Sequence, residues 1–370
     1  KLFPTVLEPL RTQSEVRELL GGELWQEFFE EPIGKSIRSN FRSDLVRGVV
    51  LTDALIGTFA SNEDANLDAN KCFLYHVIGN ETGEWQIPVG GMGSVTKAMA
   101  KRAKALGALL EPNCEVISIS EDRTVTYLQN GEKKTVSGKY LLVNVAEPVL
   151  EKLLGHKVEH NIQGAQVKVN MLLKRLPKLK SNVEPEKGFG GTFHINERLS
   201  DLEKAFNTAK QNLLPDVIPA EVYCHSITDP SIVGKSGLHT LTLFALHTPA
   251  AIFENDRKAN TNLVTQRILS GLNQYLVEPI ETVLAENSDG SKCFEVKNPL
   301  DLEDEIFLPR GNIFHADLTM PFATDESMVG EWGAESGTPH IYLGGAGAQR
   351  GGGVSGIPAH NAAMALLSKS

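Results

Sequence analysis

Seven glycines crowd the stretch Leu343-Gly-Gly-Ala-Gly-Ala-Gln-Arg-Gly-Gly-Gly-Val-Ser-Gly356. Glycine surrenders more backbone freedom on ordering than any other residue, so such a run implies that a ligand or another backbone comes very close. The chain then reads as a helix, with Ala359, Ala362, Ala363, Leu366 and Leu367 on one face. Pro358 in the first turn costs that helix no hydrogen bond. The unpaired N–H groups and positive dipole end of the helix would point back at the loop, a setting that suits a phosphate. Arg350 adds a fixed charge able to reach such an anion. Gly351-Gly-Gly-Val-Ser-Gly356 satisfies G-x-G-x-x-G, but seven residues intervene between the apolar run His340–Leu343 and Gly351. The tight first turn of a dinucleotide fold needs that glycine directly after the strand. The spacing therefore predicts a long wrap along a nucleotide-sized ligand, and a ligand-free surface loop is the alternative.

A second glycine corner lies in Trp85-Gln-Ile-Pro-Val-Gly-Gly-Met-Gly-Ser94. Behind it a helix is expected, N-capped by Ser94, with Val95, Ala98, Met99, Ala103 and Leu106 inward and Lys97, Lys101 and Lys104 outward. Gly91 to Thr96 imitates the start of a nicotinamide-nucleotide fingerprint, and Glu111 stands 20 residues beyond Gly91. Thr96 replaces the third glycine, however, and Pro88 would interrupt the strand before the turn. The corner reads better as backbone pressed against a flat ligand. His315 and Asn312 are weak catalytic candidates, able to position a substrate or steady a reduced ring, with a purely structural histidine as the alternative. His194, His225, His239 and His247 are scattered, with no metal-ligand spacing on a predicted helix, so no metal is expected. Neither a G-x-S-x-G elbow nor a Walker loop occurs.

The elements that must position these residues come next. Up to about residue 80 the chain reads as helix and loop: one helix from Ser14 through Phe28, another over 43–57, and a polar loop over 61–68. Trp25, Phe28, Phe29, Phe41 and Phe59 are core or the wall of a greasy pocket or membrane-facing mouth. From Gly107 strands take over: Cys114–Ser120, a hairpin turning at Asn130-Gly131, and the apolar return Tyr140–Ala146, expected to be covered on both faces. Residues 151–310 combine strands at 166–174 and 239–247 with helices at 200–213 and about 259–285, followed by an acidic crossing at 297–305.

Composition narrows the function. With 370 residues the chain can form two domains or more. A net charge of −10 argues against nucleic acid as a partner. Cys72, Cys114, Cys224 and Cys293 are far apart and form no C-x-x-C pair, which favours free thiols in an intracellular, reducing compartment. The cytoplasm is expected, with or without membrane association, or the mitochondrion in a eukaryote. No run reaches the roughly 18 apolar residues of a membrane span, and oligomeric state is not legible.

Three segments in this order, Ile87-Pro-Val-Gly-Gly-Met92, the Glu115-Val116 strand with its hairpin and Val143-Asn144-Val145 return, and Leu343-Gly-Gly-Ala-Gly347 leading to Gly356, resemble the phytoene dehydrogenase-related branch of the flavin amine oxidase superfamily. Within it, Gly311-Asn-Ile-Phe-His315 is similar to the pyridine nucleotide-disulphide oxidoreductase domain-containing proteins. The resemblance implies an α/β chain with a partial, three-layer, glutathione-reductase-like FAD/NAD(P)-binding fold and an inserted α+β substrate domain. The expected division is a helical part of the substrate domain over 1–84, FAD-binding segments over 85–150 and 311–370, and substrate domain over 151–310. It implies FAD, with Gly90, Gly91 and Met92 near the isoalloxazine and Val116 near the adenine. Gly344, Gly345, Gly353, Val354 and Gly356 would line the ribityl and pyrophosphate side. It further implies hydride transfer from a hydrophobic or amine-bearing small molecule, as in a dehydrogenase or desaturase. A non-catalytic scaffold that keeps the fold is the alternative. The family's initial strand, G-x-G-x-x-G loop and helix do not occur before residue 85, so an N-terminal segment of about 100–150 residues is expected to be missing. Arg350 also stands where the family often has proline.

Overall fold

The computed structural model describes residues 1–77 and 86–369. Trp85 and the expected boundary at 84/85 lie outside the described residues.

The first layer is helical. Helix α1, Gln13–Leu20, starts at Thr12, whose hydroxyl and Glu15 form a reciprocal capping box. Gly21, at φ 90°, separates it from α2, Gly22–Phe29, so the single helix expected there is two. Helix α3 spans Ile33–Asn40 and α4 spans Asp44–Thr52, N-capped by Ser43 and ending five residues before the predicted 57. Helix α5, Asp68–Val77, follows the expected polar loop over 61–68. The buried Asn70 amide binds Ile33 N–H at 2.9 Å and the carbonyls of Phe28 and Glu31 at 3.1 and 2.8 Å, fixing the α2–α3 corner. Trp25 stacks on Phe29 at 4.8 Å and meets Phe322, so these aromatics are core.

Helix α6, Met92–Ala105, leads to a small antiparallel sheet of β1 (Cys114–Ile119), β2 (Thr124–Gln129) and β3 (Glu132–Ser137). Asn130 and Gly131 both have positive φ, 53° and 81°, as a type I′ hairpin requires. Strand β4, Leu141–Val143, is the expected return, but Leu142 is half exposed. Its one neighbour among the described residues is β10, Ile341–Leu343, which runs parallel to it. Between these two, the chain forms α7 (Glu147–Leu153) and the large second unit.

That unit is a five-stranded antiparallel sheet in the order β6-β7-β8-β5-β9. Its strands are β5 (Val167–Leu173), β6 (Phe193–Ile195), β7 (Ala220–Tyr223), β8 (His239–Ala245) and β9 (Phe294–Lys297). Helices α8 (Pro185–Gly188), α9 (Leu199–Ala209), α10 (His225–Thr228), α11 (Arg257–Asn273) and α12 (Pro299–Ile306) interrupt them. Val167, Val169, Met171 and Leu173 of β5 are buried in alternation and build the main core with Leu241, Leu243, Val264 and Leu272. Helix α11 stops short of the predicted 285 because the Asn273 side chain accepts Ile280 N–H at 2.8 Å and turns the chain. The acidic crossing is α12, capped by Asn298. Helix α13, Ile357–Ser368, closes the chain against β10 and residues 3–7. Leu10 exchanges backbone bonds with Glu331 and Gly330 at 2.7 and 2.9 Å, so the start of the 1–84 segment packs on the 311–370 segment.

Candidate functional site

Strand β10 delivers the chain into the glycine loop, which divides in two. Its first half is packed tight. A Cβ on Gly345 would lie 2.2 Å from Asn144 Oδ1, and one on Gly351 would lie 2.0 Å from the Ala346 carbonyl. Close packing against β4 is therefore why glycine stands at 345. Its second half is open: Gly353, Val354, Ser355 and Gly356 are exposed, and a Cβ on Gly353 or Gly356 would meet nothing within 4 Å. Gly356 takes a left-handed conformation at φ 76° and starts α13, with no side-chain cap. A 12-residue helix thus presents its positive end at the mouth of an open loop.

Arg350 differs from expectation. The side chain is turned inward and is 1% exposed. Its guanidinium donates to the carbonyls of Thr5 (2.9 Å), Glu8 (2.6 Å) and Trp332 (2.6 Å). Burial pushes its pKa down from its ordinary value. This group is committed to carbonyl oxygens, not aimed at an anion outside the loop.

Next to the loop, His315 has φ 67°, and its Cβ lies 3.2 Å from where a Cβ of Gly347 would be. Burial lowers its pKa and leaves a neutral ring, whose Nδ1 has no hydrogen-bond partner. Asn312 is buried and structural: it accepts Phe314 N–H at 2.8 Å and donates to the Gln163 carbonyl at 3.2 Å. With Phe314, Gly57, Asp68, Asp317 and Leu318 it lines a cleft of about 190 Å³.

The other glycine corner is pinned to the sheet unit. Gly90 N–H donates to Asp229 Oδ2 at 2.7 Å, and a Cβ on Gly91 would lie 3.7 Å from Ile232. Gly91, not Ser94, precedes α6. The described residues before it form no strand, so the nicotinamide-nucleotide fingerprint lacks its context. Helix α6 buries none of its residues: Met92 is half exposed, Met99 is 64% and Leu106 is 69% exposed, contrary to the inward face expected for Met99 and Leu106. Leu109 and Val116 of the neighbouring segment are also exposed, so Val116 lies on an open apolar surface.

A further group escaped sequence reasoning because strand pairing assembles it. The register sets His194 of β6 opposite Glu221 of β7, Glu221 opposite Phe244 of β8, and Phe244 opposite Lys168 of β5. Glu197, in the turn after β6, bonds His194 Nδ1 through Oε2. Glu221 Oε1 lies 4.0 Å from the same nitrogen, and its Oε2 accepts the Tyr223 hydroxyl. Burial pushes the Glu197 pKa up to about 8 against the pull of His194. For His194, burial opposes the charged ring, but the hydrogen bond and charges of Glu197, with those of Glu221 and Asp53, outweigh it and raise its pKa. The sequence signal was the alternation His194-x-x-Glu197 and Glu221-x-Tyr223, meaningful only once the pairing is known.

Fold and loop together define a mixed α/β chain with a glycine loop between a strand and its last helix. An oxidoreductase from Methanosarcina mazei superposes with a TM-score of 0.51 at 13% identity, over 99% of this chain and 74% of that one. No family model matches the chain. The chain belongs to the family of the uncharacterized protein Rv0897c of Mycobacterium tuberculosis (strain ATCC 25618 / H37Rv), with 44% identity over 386 residues, 99% of this chain and 72% of that protein. It is also 28% identical over 403 residues to the pyridine nucleotide-disulfide oxidoreductase domain-containing protein 2 of Mus musculus, over 98% of this chain and 66% of that protein. The likeness to the pyridine nucleotide-disulfide oxidoreductase domain-containing proteins expected from residues 311–315 is therefore present.

Proposed function

We propose that the protein is an FAD-dependent oxidoreductase, phytoene dehydrogenase-like, that takes hydride from a hydrophobic or amine-bearing small molecule. The observation that carries this reading is the open second half of the glycine loop at the uncapped start of α13. Those residues fit the cofactor: Gly353, Val354 and Gly356 leave space beside the positive end of α13, and Gly344 and Gly345 bring β10 close to β4. At that helix end the Ile357 N–H is bonded to the Ser355 hydroxyl at 3.2 Å, and Pro358 has none. In this reading Gly344, Gly345 and residues 353–356 hold the pyrophosphate and ribityl side, while Gly90, Gly91 and Met92 approach the ring. The bound flavin supplies the hydride acceptor, so no strong general base is required of the chain. Asp229 holds the Gly90 corner in place, and His315, beside the loop, keeps a buried Nδ1 without a hydrogen-bond partner.

The bare apolar face of α6 supports the expectation that a nucleotide-binding segment packs there, bringing Val116 to the adenine side. The mycobacterial and mouse relatives are longer than this chain, which spans 72% and 66% of them. We place the activity in an intracellular, reducing compartment, with an apolar substrate drawn from solution or a membrane surface. Among the described residues no helix is long and apolar enough to cross a membrane.

The test is the visible spectrum of the natural-length protein incubated with FAD and then desalted. Retained flavin absorbance is expected. A colourless protein that also fails to quench FAD fluorescence rejects the reading. Bleaching of retained flavin by substrate under anaerobic conditions separates an enzyme from a scaffold with the same fold.

A further inference from the structure

We propose that His194, Glu197 and Glu221 form a binding site for one divalent first-row transition-metal cation such as Zn²⁺ or Mn²⁺. The donor atoms, one imidazole nitrogen and two carboxylate oxygens, lie within 4.8 Å of one another. They come from β6, the turn behind it and β7, so the hydrogen bonds of the sheet fix two of the three.

Two buried carboxylates share a single basic partner. Glu197 and Glu221 are each 2% exposed, and His194 is the one basic side chain paired with either among the described residues. Burying two ionised carboxylates beside a single imidazole is costly unless one keeps a proton or further positive charge arrives. A divalent cation supplies that charge and displaces the proton. Glu197 Oε2 faces His194, while Oε1 of the same carboxylate is buried without a hydrogen-bond partner and would be engaged by bidentate ligation.

The surroundings hold these donors as a metal site requires. A Cβ on Gly48 of α4 would lie 1.9 Å from the Glu197 carbonyl, so the helix clamps the turn that carries Glu197. Tyr223 orients Glu221 through its hydroxyl, as outer hydrogen bonds commonly orient ligating carboxylates. The His194 side chain is 23% exposed and gives the ion a route from solvent. Nitrogen with two carboxylates suits zinc, manganese or iron better than calcium or magnesium, which favour oxygen alone. Metal–ligand bonds of about 2.0–2.2 Å would replace the direct His194–Glu197 hydrogen bond, and the ion takes the place of the proton between them. Three protein ligands leave one position open for water or another ligand. The site is independent of the flavin reading, because no residue in it belongs to either glycine corner.

The full chain, stripped with chelator, is titrated with ZnCl₂ and separately with MnCl₂ by calorimetry, and its metal content is measured after dialysis. One equivalent of at least one ion is expected. Glu197→Gln and Glu221→Gln, which keep side-chain volume, should each weaken binding at least about tenfold, while the exposed Glu159→Gln leaves it unchanged. No stoichiometric binding by the wild-type protein overturns the proposal, as does undiminished binding by folded Glu197→Gln and Glu221→Gln. Should those variants not fold, Co²⁺ added to the wild-type protein decides. A visible ligand-field band abolished by Zn²⁺ supports the site, and its absence overturns it.

Discussion

The amide of Gly90 and the carboxylate of Asp229 are 139 residues apart in sequence and 2.7 Å apart in space. Asp229 also accepts the hydroxyl and N–H of Ser231 at 2.6 and 3.1 Å. The Ser231 hydroxyl first, then the Gly90 amide, hold its pKa below the usual carboxylate range. A depressed folded pKa means the contribution is present above the unfolded value and is lost as pH falls through the folded one. Hydrogen-exchange protection at Gly90 should accordingly persist through neutral and mildly acidic pH and drop in stronger acid. Asp229→Ala should lower it already at pH 7. Equal protection in both proteins would show that the link does not hold the corner.

Arg350 should behave as a structural residue. Replacing it with Met leaves the carbonyls of Glu8 and Trp332 without their donor, while Thr5 keeps the Glu8 N–H. The loss should reach about 2 kcal/mol, at about 1–3 kcal/mol per unsatisfied buried group, less where the group is partly exposed. Urea unfolding checks this. A variant with unchanged midpoint but poor flavin retention would instead make Arg350 an anion ligand.

Two loop glycines should respond in opposite ways. Gly351→Ala forces a Cβ into the Ala346 carbonyl and should lower thermal stability. Gly353→Val meets only open space, so stability should hold while flavin retention is lost. If Gly353→Val keeps its flavin, the cofactor does not pass that residue.

Much of the frame was legible because it rests on local chemistry. Asn130-Gly131 as a primed turn, and β5 and β8 as alternating strands, each follow from neighbours in sequence. Strands β6, β7 and β9 did not, since three or four residues carry too little pattern and exist through their partners. The glycine loop announced itself by composition, but the inward turn of Arg350 depends on carbonyls more than 340 residues away. The His194 cluster was invisible for the same reason: cross-strand register, not spacing, brings Glu221 to it.

His247 should make the fold acid-sensitive. Burial beside the rings of Phe59 and Phe206 lowers its pKa from 6.5 to about 3. The unfolded chain takes up a proton below 6.5 that the folded one refuses. Stability should therefore fall as pH drops from 6.5 towards 3, by up to about 1.4 kcal/mol per pH unit from this group. His247→Leu should flatten that slope in urea titrations across this range. An unchanged slope would assign acid sensitivity elsewhere.

Thiol reactivity should split the four cysteines in half. Cys72 and Cys224 are buried, and burial pushes the Cys72 thiol up to about 12; Cys114 and Cys293 are partly accessible. A chromogenic disulfide reagent should titrate two thiols in the native protein and four after unfolding. Four fast thiols in the native state would contradict this burial.

Asn361 of α13 donates to the Val6 carbonyl at 3.0 Å, beside the Arg350 bonds to Thr5 and Glu8. The acceptors leave the ribosome hundreds of residues before their donors are made. Residues 5–8 must therefore stay hydrated throughout most of translation, and this seam can close only after synthesis of α13. A nascent chain stalled before residue 350 should remain protease-sensitive at that seam, even if its five-stranded sheet has already folded.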